Sequence, residues 1–211
     1  MSSYDDIIEA IRNNNFIDKV KDEFDNPILC SATTKGTYDD VKLLLERGAN
    51  VNIRGWNGDT PLHHADNYEV AKLLIDNGAG VNDKDNDGGI PLHWAKSYEV
   101  AKLLIDNGAD VNVKTNDGNT PLHYAKDAKI AKLLIDNGAD VNTKNEWGDT
   151  PLHWGLSYDN YYNYDIETVK LLIDNGADVD AKNNDGETPL HFAIDNYEIG
   201  IDIIKLLLSY Y

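Results

Sequence analysis

The sequence predicts an all-α repeat solenoid, built from helix-turn-helix units with projecting hairpin loops and stacked into a single elongated domain. Three observations point there. The tetrapeptide Thr-Pro-Leu-His begins at Thr60, Thr120, Thr150 and Thr188, with Ile90 opening a fifth copy, so prolines stand at 61, 91, 121, 151 and 189. Each is followed by an apolar run (for example Val70 to Ile75, Val100 to Ile105, Ile130 to Ile135 and Val169 to Ile173) and then by Asn-Gly-Ala-Asp-Val-Asn or a near variant. The spacings between prolines are 30, 30, 30 and 38 residues. Periods of about 20 to 50 residues belong to stacked repeats, in which each unit buries its apolar face against its neighbours.

Each element of the unit has a physical reason. Thr before Pro is an N-cap before the first helical position, where the hydroxyl can accept a free amide and the missing N–H of proline costs nothing. The second run, such as Glu69 to Asp76, puts Val70, Leu73 and Leu74 on one face at helical spacing and turns Lys72 and Asp76 outward. Gly78, Gly108, Gly138 and Gly176 then fall just past the helix, in the left-handed position that side chains avoid. Trp56-Asn57-Gly58, Asn86-Asp87-Gly88, Asn116-Asp117-Gly118, Trp147-Gly148 and Asn184-Asp185-Gly186 carry the chemistry of tight hairpin turns. A weaker first unit contains Asn26-Pro27-Ile28-Leu29, Val41 to Leu45 and Gly48 to Asn52.

This pattern, D-G-x-T-P-L-H-x-A followed by E-V-x-K-L-L and G-A-D-V-N, resembles the ankyrin repeat over residues 26 to 211. The usual ankyrin repeat has about 33 residues. Here the middle units have 30, with the shortfall between Ala65 and Glu69, Ala95 and Glu99, and Ala125 and Lys129, so the turn joining the two helices is expected to be cut down. The fifth unit carries an insert at the same place, Tyr158 to Asp165. The expected organisation is an N-terminal cap over 1–25, repeats over 26–59, 60–89, 90–119, 120–149 and 150–187, and a closing cap over 188–211.

Composition excludes several classes of function. The 211 residues contain 37 acids and 19 bases, for a net charge of -18 with 41% apolar residues. That apolar share argues against disorder, and the charge repels phosphate backbones and anionic lipid. The lone Cys30 makes no internal disulfide, the acids at Asp5, Asp6 and Glu9 do not fit a signal peptide, and no apolar run is long enough to span a bilayer. A cytoplasmic protein is expected. Abundant Asn, Ile, Lys and Tyr are what an AT-rich genome encodes, and the composition resembles ankyrin proteins of intracellular bacteria, a group that includes proteins delivered into host cells. That resemblance implies a possible bacterial effector.

Candidate chemistry is sparse. Five of six histidines belong to the tetrapeptide (His63, His93, His123, His153, His191). Stacked units lie roughly 10 Å apart, too far for side chains that must each reach about 2 Å from one zinc ion. In ankyrin repeats this histidine is structural. Asp83 to Gly88 matches the start of a calcium loop, but Trp94 occupies the place of the closing Glu. No nucleophile-base pair, phosphate loop or cofactor motif is present, so neither catalysis nor a cofactor or metal is expected.

Recognition is left, and residues that differ between units are its candidates. The residue after the tetrapeptide histidine is His64, Trp94, Tyr124, Trp154 and Phe192, which the ankyrin resemblance puts on the first helices beside the concave face. Hairpins contribute Arg54 with Trp56, Asp83 with Asp85, Lys114 with Thr115, and Glu146 with Trp147. Trp56 and Trp147 stand out there, because a tryptophan at a loop tip is hard to bury. The insert adds Tyr158, Tyr161, Tyr162 and Tyr164. Net charge falls from -4 over residues 1–59 to -6 over 60–149 and -8 over 150–211. The expected function is a monomeric, non-catalytic scaffold that grips a basic protein partner, with no direct nucleic-acid or membrane contact. Two other readings fit the same features: an acidic mimic of nucleic acid, and a structural protein that self-associates through its ends.

Overall fold

A computed structural model describes residues 20–22, 24–125, 127–157, 165–196 and 201–210. Most of the expected N-terminal cap and the insert tyrosines Tyr158, Tyr161, Tyr162 and Tyr164 lie outside these residues. The chain groups into two compact parts, Met1–Ala109 and Asp110–Tyr211. Among the described residues the regular structure is helical, with one isolated antiparallel bridge between Lys21 and Pro27.

The first part begins with helices Ile28–Lys35 and Tyr38–Glu46. Two repeats follow, each a four-residue 3-10 turn (Pro61–His64, Pro91–Trp94) and a nine-residue α-helix (Tyr68–Asp76, Tyr98–Asp106). Ile28–Lys35 packs on Pro61–His64 and that on Pro91–Trp94, while the second helices pack on one another in a parallel column. In the second part, Pro121–Tyr124, Pro151–Leu156 and Pro189–Asp195 form one column, and Ala128–Asp136, Ile166–Asp174 and Ile201–Leu208 form the other.

The core is made by the expected positions. Val70, Ala71 and Leu74, and their counterparts Val100, Ala101, Leu104, Ile130, Ala131, Leu134, Val169 and Leu172, are buried together with Leu62, Leu92, Leu122 and Leu152. Each fully buried leucine or isoleucine contributes about 2 kcal/mol of transfer free energy. On the outward face Lys72–Asp76, Lys102–Asp106 and Lys132–Asp136 pair at i,i+4. Gly78, Gly108, Gly138 and Gly176 have φ between +88° and +90°, the left-handed exit foreseen for them.

One local expectation is corrected. The three-residue shortfall shortens the first helix itself and not only the turn behind it. The 30-residue repeats keep a single turn, whereas the longer ones have room for Pro151–Leu156 and Pro189–Asp195. Threonine and histidine cap these turns reciprocally. In the first such turn His63 N–H donates to the Thr60 carbonyl at 3.0 Å, and the Thr60 N–H donates to His63 Nδ1 at 3.0 Å. Thr60 Oγ1 lies 2.9 Å from the same ring nitrogen. The histidine caps the turn.

Repeats are joined by three recurring ties. His63 Nε2 meets the Gly89 carbonyl at 3.2 Å, His123 Nε2 that of Asp149 at 3.3 Å, and His153 Nε2 that of Glu187 at 3.2 Å. A carbonyl accepts only, so Nε2 carries the proton and Nδ1 is the bare acceptor facing threonine. Asn52 and Asn82 donate to the Gly78 and Gly108 carbonyls, and Asn112 and Asn142 to those of Gly138 and Gly176. The loops bond edge to edge: Asn86 N–H to the Asn57 carbonyl, Glu146 N–H to that of Asp117, and Asn184 N–H to that of Trp147, each at 2.9 Å. These loops are closed by two backbone bonds each, such as Asp85 N–H to Gly89 C=O at 2.8 Å and Gly88 N–H to Asp85 C=O at 3.1 Å, and are not β-ladders.

Candidate functional site

The aromatic row and the hairpin set, separate in the sequence, meet in the structure. In the first part, the row position folds back onto the loop preceding it. His64 Nε2 contacts Asp59 Oδ2, and Trp94 Nε1 donates to Asp85 Oδ2 at 3.2 Å. The second part repeats the arrangement, with Asn119 Nδ2 donating to the Tyr124 hydroxyl oxygen at 3.2 Å. The partner stands five residues earlier for His64 and Tyr124 and nine earlier for Trp94.

Trp154 brings the two sets together. Its ring stacks on Trp147 of the preceding loop, with centroids 6.0 Å apart and planes 19° from parallel. Its edge meets Tyr124 at 6.1 Å and 76°. Trp147 keeps 48% of its surface exposed, and Tyr124 and Trp154 are half-buried. Three large rings therefore form one platform, open on the Trp147 side. Stacked and edge-on pairs of this kind add about 0.5 to 1.5 kcal/mol each beyond their burial. Phe192 instead packs edge-on against His153 at 5.4 Å. Trp56 of the first loop is 79% exposed, the most open of the large apolar side chains in the described residues.

The remaining hairpin candidates hold the frame. Arg54 Nη1 donates to the Gly58 and Lys84 carbonyls, Lys114 Nζ to that of Lys144 at 3.0 Å, and Lys144 Nζ to that of Lys182 at 2.6 Å. Asp85 Oδ1 accepts from Asp87 and Gly89 N–H within its own loop, and Thr115 Oγ1 accepts from Asn119 N–H. These side chains tie loops together. Sequence comparison missed the polar partners of the row, Asp59, Asp85 and Asn119, which stand five or nine residues before the row positions they meet.

The second part is acidic in sequence. Residues 110–211 hold 18 acids and 8 bases. Burial pushes the Asp149 carboxyl above the usual carboxylate range, against a hydrogen bond from Asn183, and Glu187 and Asp185 add repulsion. In the first part, the hydrogen bond to His64 holds Asp59 below its ordinary value. Burial pushes the Cys30 thiol up to about 12, the state of an unreactive core cysteine. Burial likewise lowers His63 and His153, which keeps them neutral as their tautomer requires. Among the described residues no group of three His, Cys, Asp or Glu side chains could hold a metal ion, and no helix is long and apolar enough to cross a membrane.

Comparison with known proteins agrees with this architecture. A family model described as Ankyrin repeats (3 copies) matches residues 2–85, 66–145 and 126–211. Over 41 residues the chain is 51% identical to a protein named Putative E3 ubiquitin-protein ligase XBAT34 from Arabidopsis thaliana, a match covering 18% of this chain and 11% of that protein. The chain thus spans only a small share of that relative. It belongs to the ankyrin-repeat family, whose stacked repeats generally mediate protein–protein interactions and are characteristically non-catalytic scaffolds.

Proposed function

We propose that this chain binds a basic protein segment, with Trp147, Trp154 and Tyr124 as the main contact. Trp56 and Trp94 on the first part, and Tyr158, Tyr161, Tyr162 and Tyr164 of the insert, are proposed as further contact residues. The observation that carries the reading is the half-exposed Trp147 stacked on Trp154, beside a sequence with 18 acids to 8 bases. Rigid aromatic side chains give large contact area at little entropic cost, and their faces attract Lys and Arg. The acidic surroundings steer the same residues toward the platform. Arg54, Lys114 and Lys144 are each held by loop carbonyls.

A random peptide display library, passed over the immobilised chain at low salt, tests this. Lys- and Arg-rich sequences should be enriched and should elute on raising the salt. Enrichment of acidic or uncharged sequences, or none, would overturn the proposal.

A further inference from the structure

The loops of the second part form one evenly stepped ridge. Asp117, Trp147 and Asp185 each stand four residues before the proline that opens a first helix, and each precedes a glycine whose φ lies between +80° and +82°. Gly118, Gly148 and Gly186 N–H donate to the Thr115, Asn145 and Asn183 carbonyls at 2.9 to 3.1 Å, so the three tips share one shape. The Asp117 and Trp147 carbonyls accept from the Glu146 and Asn184 N–H groups of the following loop, each at 2.9 Å, which fixes the step from tip to tip. The longer fifth repeat does not interrupt it. That step follows the packing distance of the helices beneath, about 8 to 10 Å. All three side chains are exposed, and the row reads carboxylate, open ring, carboxylate.

Given the basic partner proposed above, on which this rests, we propose that its segment lies along the ridge as a polyproline II helix with Arg or Lys at every third residue. Such a helix has three residues per turn and rises about 3.1 Å per residue, so residues i, i+3 and i+6 share one edge about 9.3 Å apart. One turn of the segment therefore matches one repeat of the ridge. The middle basic side chain lies over the open face of Trp147, whose other face stacks on Trp154. The outer two reach the carboxylates of Asp117 and Asp185. Other backbones do not keep this step. Side chains on one face of a β-strand are about 6.8 Å apart. An α-helix returns at the right distance only with its seventh residue, about 10.5 Å on, and so needs more than twice the chain for the same three contacts. Proline between the basic residues holds the segment in the bound form beforehand, which lowers the cost of ordering it.

Peptides of one composition, three arginines among prolines, separate register from charge. With the arginines parted by one, two or three prolines, calorimetric titration into the whole chain at low salt should find the two-proline peptide bound at least tenfold more tightly than the other two. Asp117→Asn with Asp185→Asn should remove most of that preference with helix content unchanged, since Asn57 already holds the same position in the first loop. Asp136→Asn with Asp174→Asn removes the same charge from exposed sites on the second helices and should leave the preference intact. A preference that survives in the Asp117 and Asp185 pair overturns the proposal. Equal affinity for the three peptides, each weakened by Trp147→Ala, overturns the ridge while leaving capture of a basic segment standing, as does tighter binding of a helical peptide with arginine at every seventh residue. Failure of all four peptides to bind overturns both.

Discussion

Replacing His153 by alanine should destabilise the protein far more than the same change at His191. Both rings cap their own turn: Thr150 N–H reaches His153 Nδ1 at 3.2 Å and Thr188 N–H reaches His191 Nδ1 at 3.1 Å. Only His153 also spans to the next repeat, through Nε2 to the Glu187 carbonyl at 3.2 Å, and it is fully buried with Phe192 against its edge. In His153→Ala, the Thr150 N–H and the Glu187 carbonyl both lose a partner away from bulk water, at about 1 to 3 kcal/mol each. The imidazole also leaves a void. The expected loss is about 3 to 5 kcal/mol, within the range of large-to-small core changes. His191→Ala removes one capping bond at an exposed site and should cost about 1 kcal/mol. Urea unfolding followed by far-ultraviolet circular dichroism measures both. Equal losses would refute the reasoning, because the bond between repeats could not then be the source of the difference.

Acidification should act through the same histidines. Burial lowers His63 and His153 in the folded chain, so the unfolded chain takes up their protons first. Their contribution is fully present above about pH 6.5 and is lost as pH falls through that value toward the lowered folded pKa. The urea midpoint, followed downward from neutral pH, should fall less steeply in His153→Ala than in the unmodified chain, and identical slopes would contradict the assignment. Gly78→Ala has open space for its Cβ but a φ of +89°, and should cost about 1 kcal/mol. Gly148→Ala has a φ of +80° and puts its Cβ 2.8 Å from the Asn184 backbone nitrogen, so its melting temperature should drop clearly further. Trp147→Ala should cost about 1 kcal/mol by removing the stack on Trp154. Trp56→Ala, at a site 79% exposed, should stay within about 0.5 kcal/mol in the same urea titration.

What was legible in the sequence is what repeats. Thr-Pro-Leu-His, the apolar run and Gly-Ala-Asp-Val-Asn each answer to a local rule of capping, periodicity or left-handed exit, and each copy votes again for the same structure. The histidine's second role was not legible, because its Nε2 partner is a backbone carbonyl 26 or 34 residues away, and backbone carbonyls carry no sequence signal. The shortened first helices of the 30-residue repeats were misplaced for a related reason. A gap of three residues shows where chain is missing but not which neighbour yields, and the Asn67, Ser97 and Asp127 caps fix the start of the second helix, so the first helix gives way. At the candidate site, Trp147 and Trp154 were singled out separately. Their stacking depends on how the loop folds over the helix that follows it. Arg54 and Lys114 looked like variable binding residues because nothing in their type shows that each reaches across to a carbonyl of the next loop.

The direct test of the central claim is calorimetric titration of an enriched basic peptide into the unmodified chain and into Trp147→Ala. The account predicts at least a tenfold loss of affinity, about 1.4 kcal/mol, with helix content retained. An unchanged affinity in Trp147→Ala would contradict it, since the aromatic platform would then take no part in holding the partner.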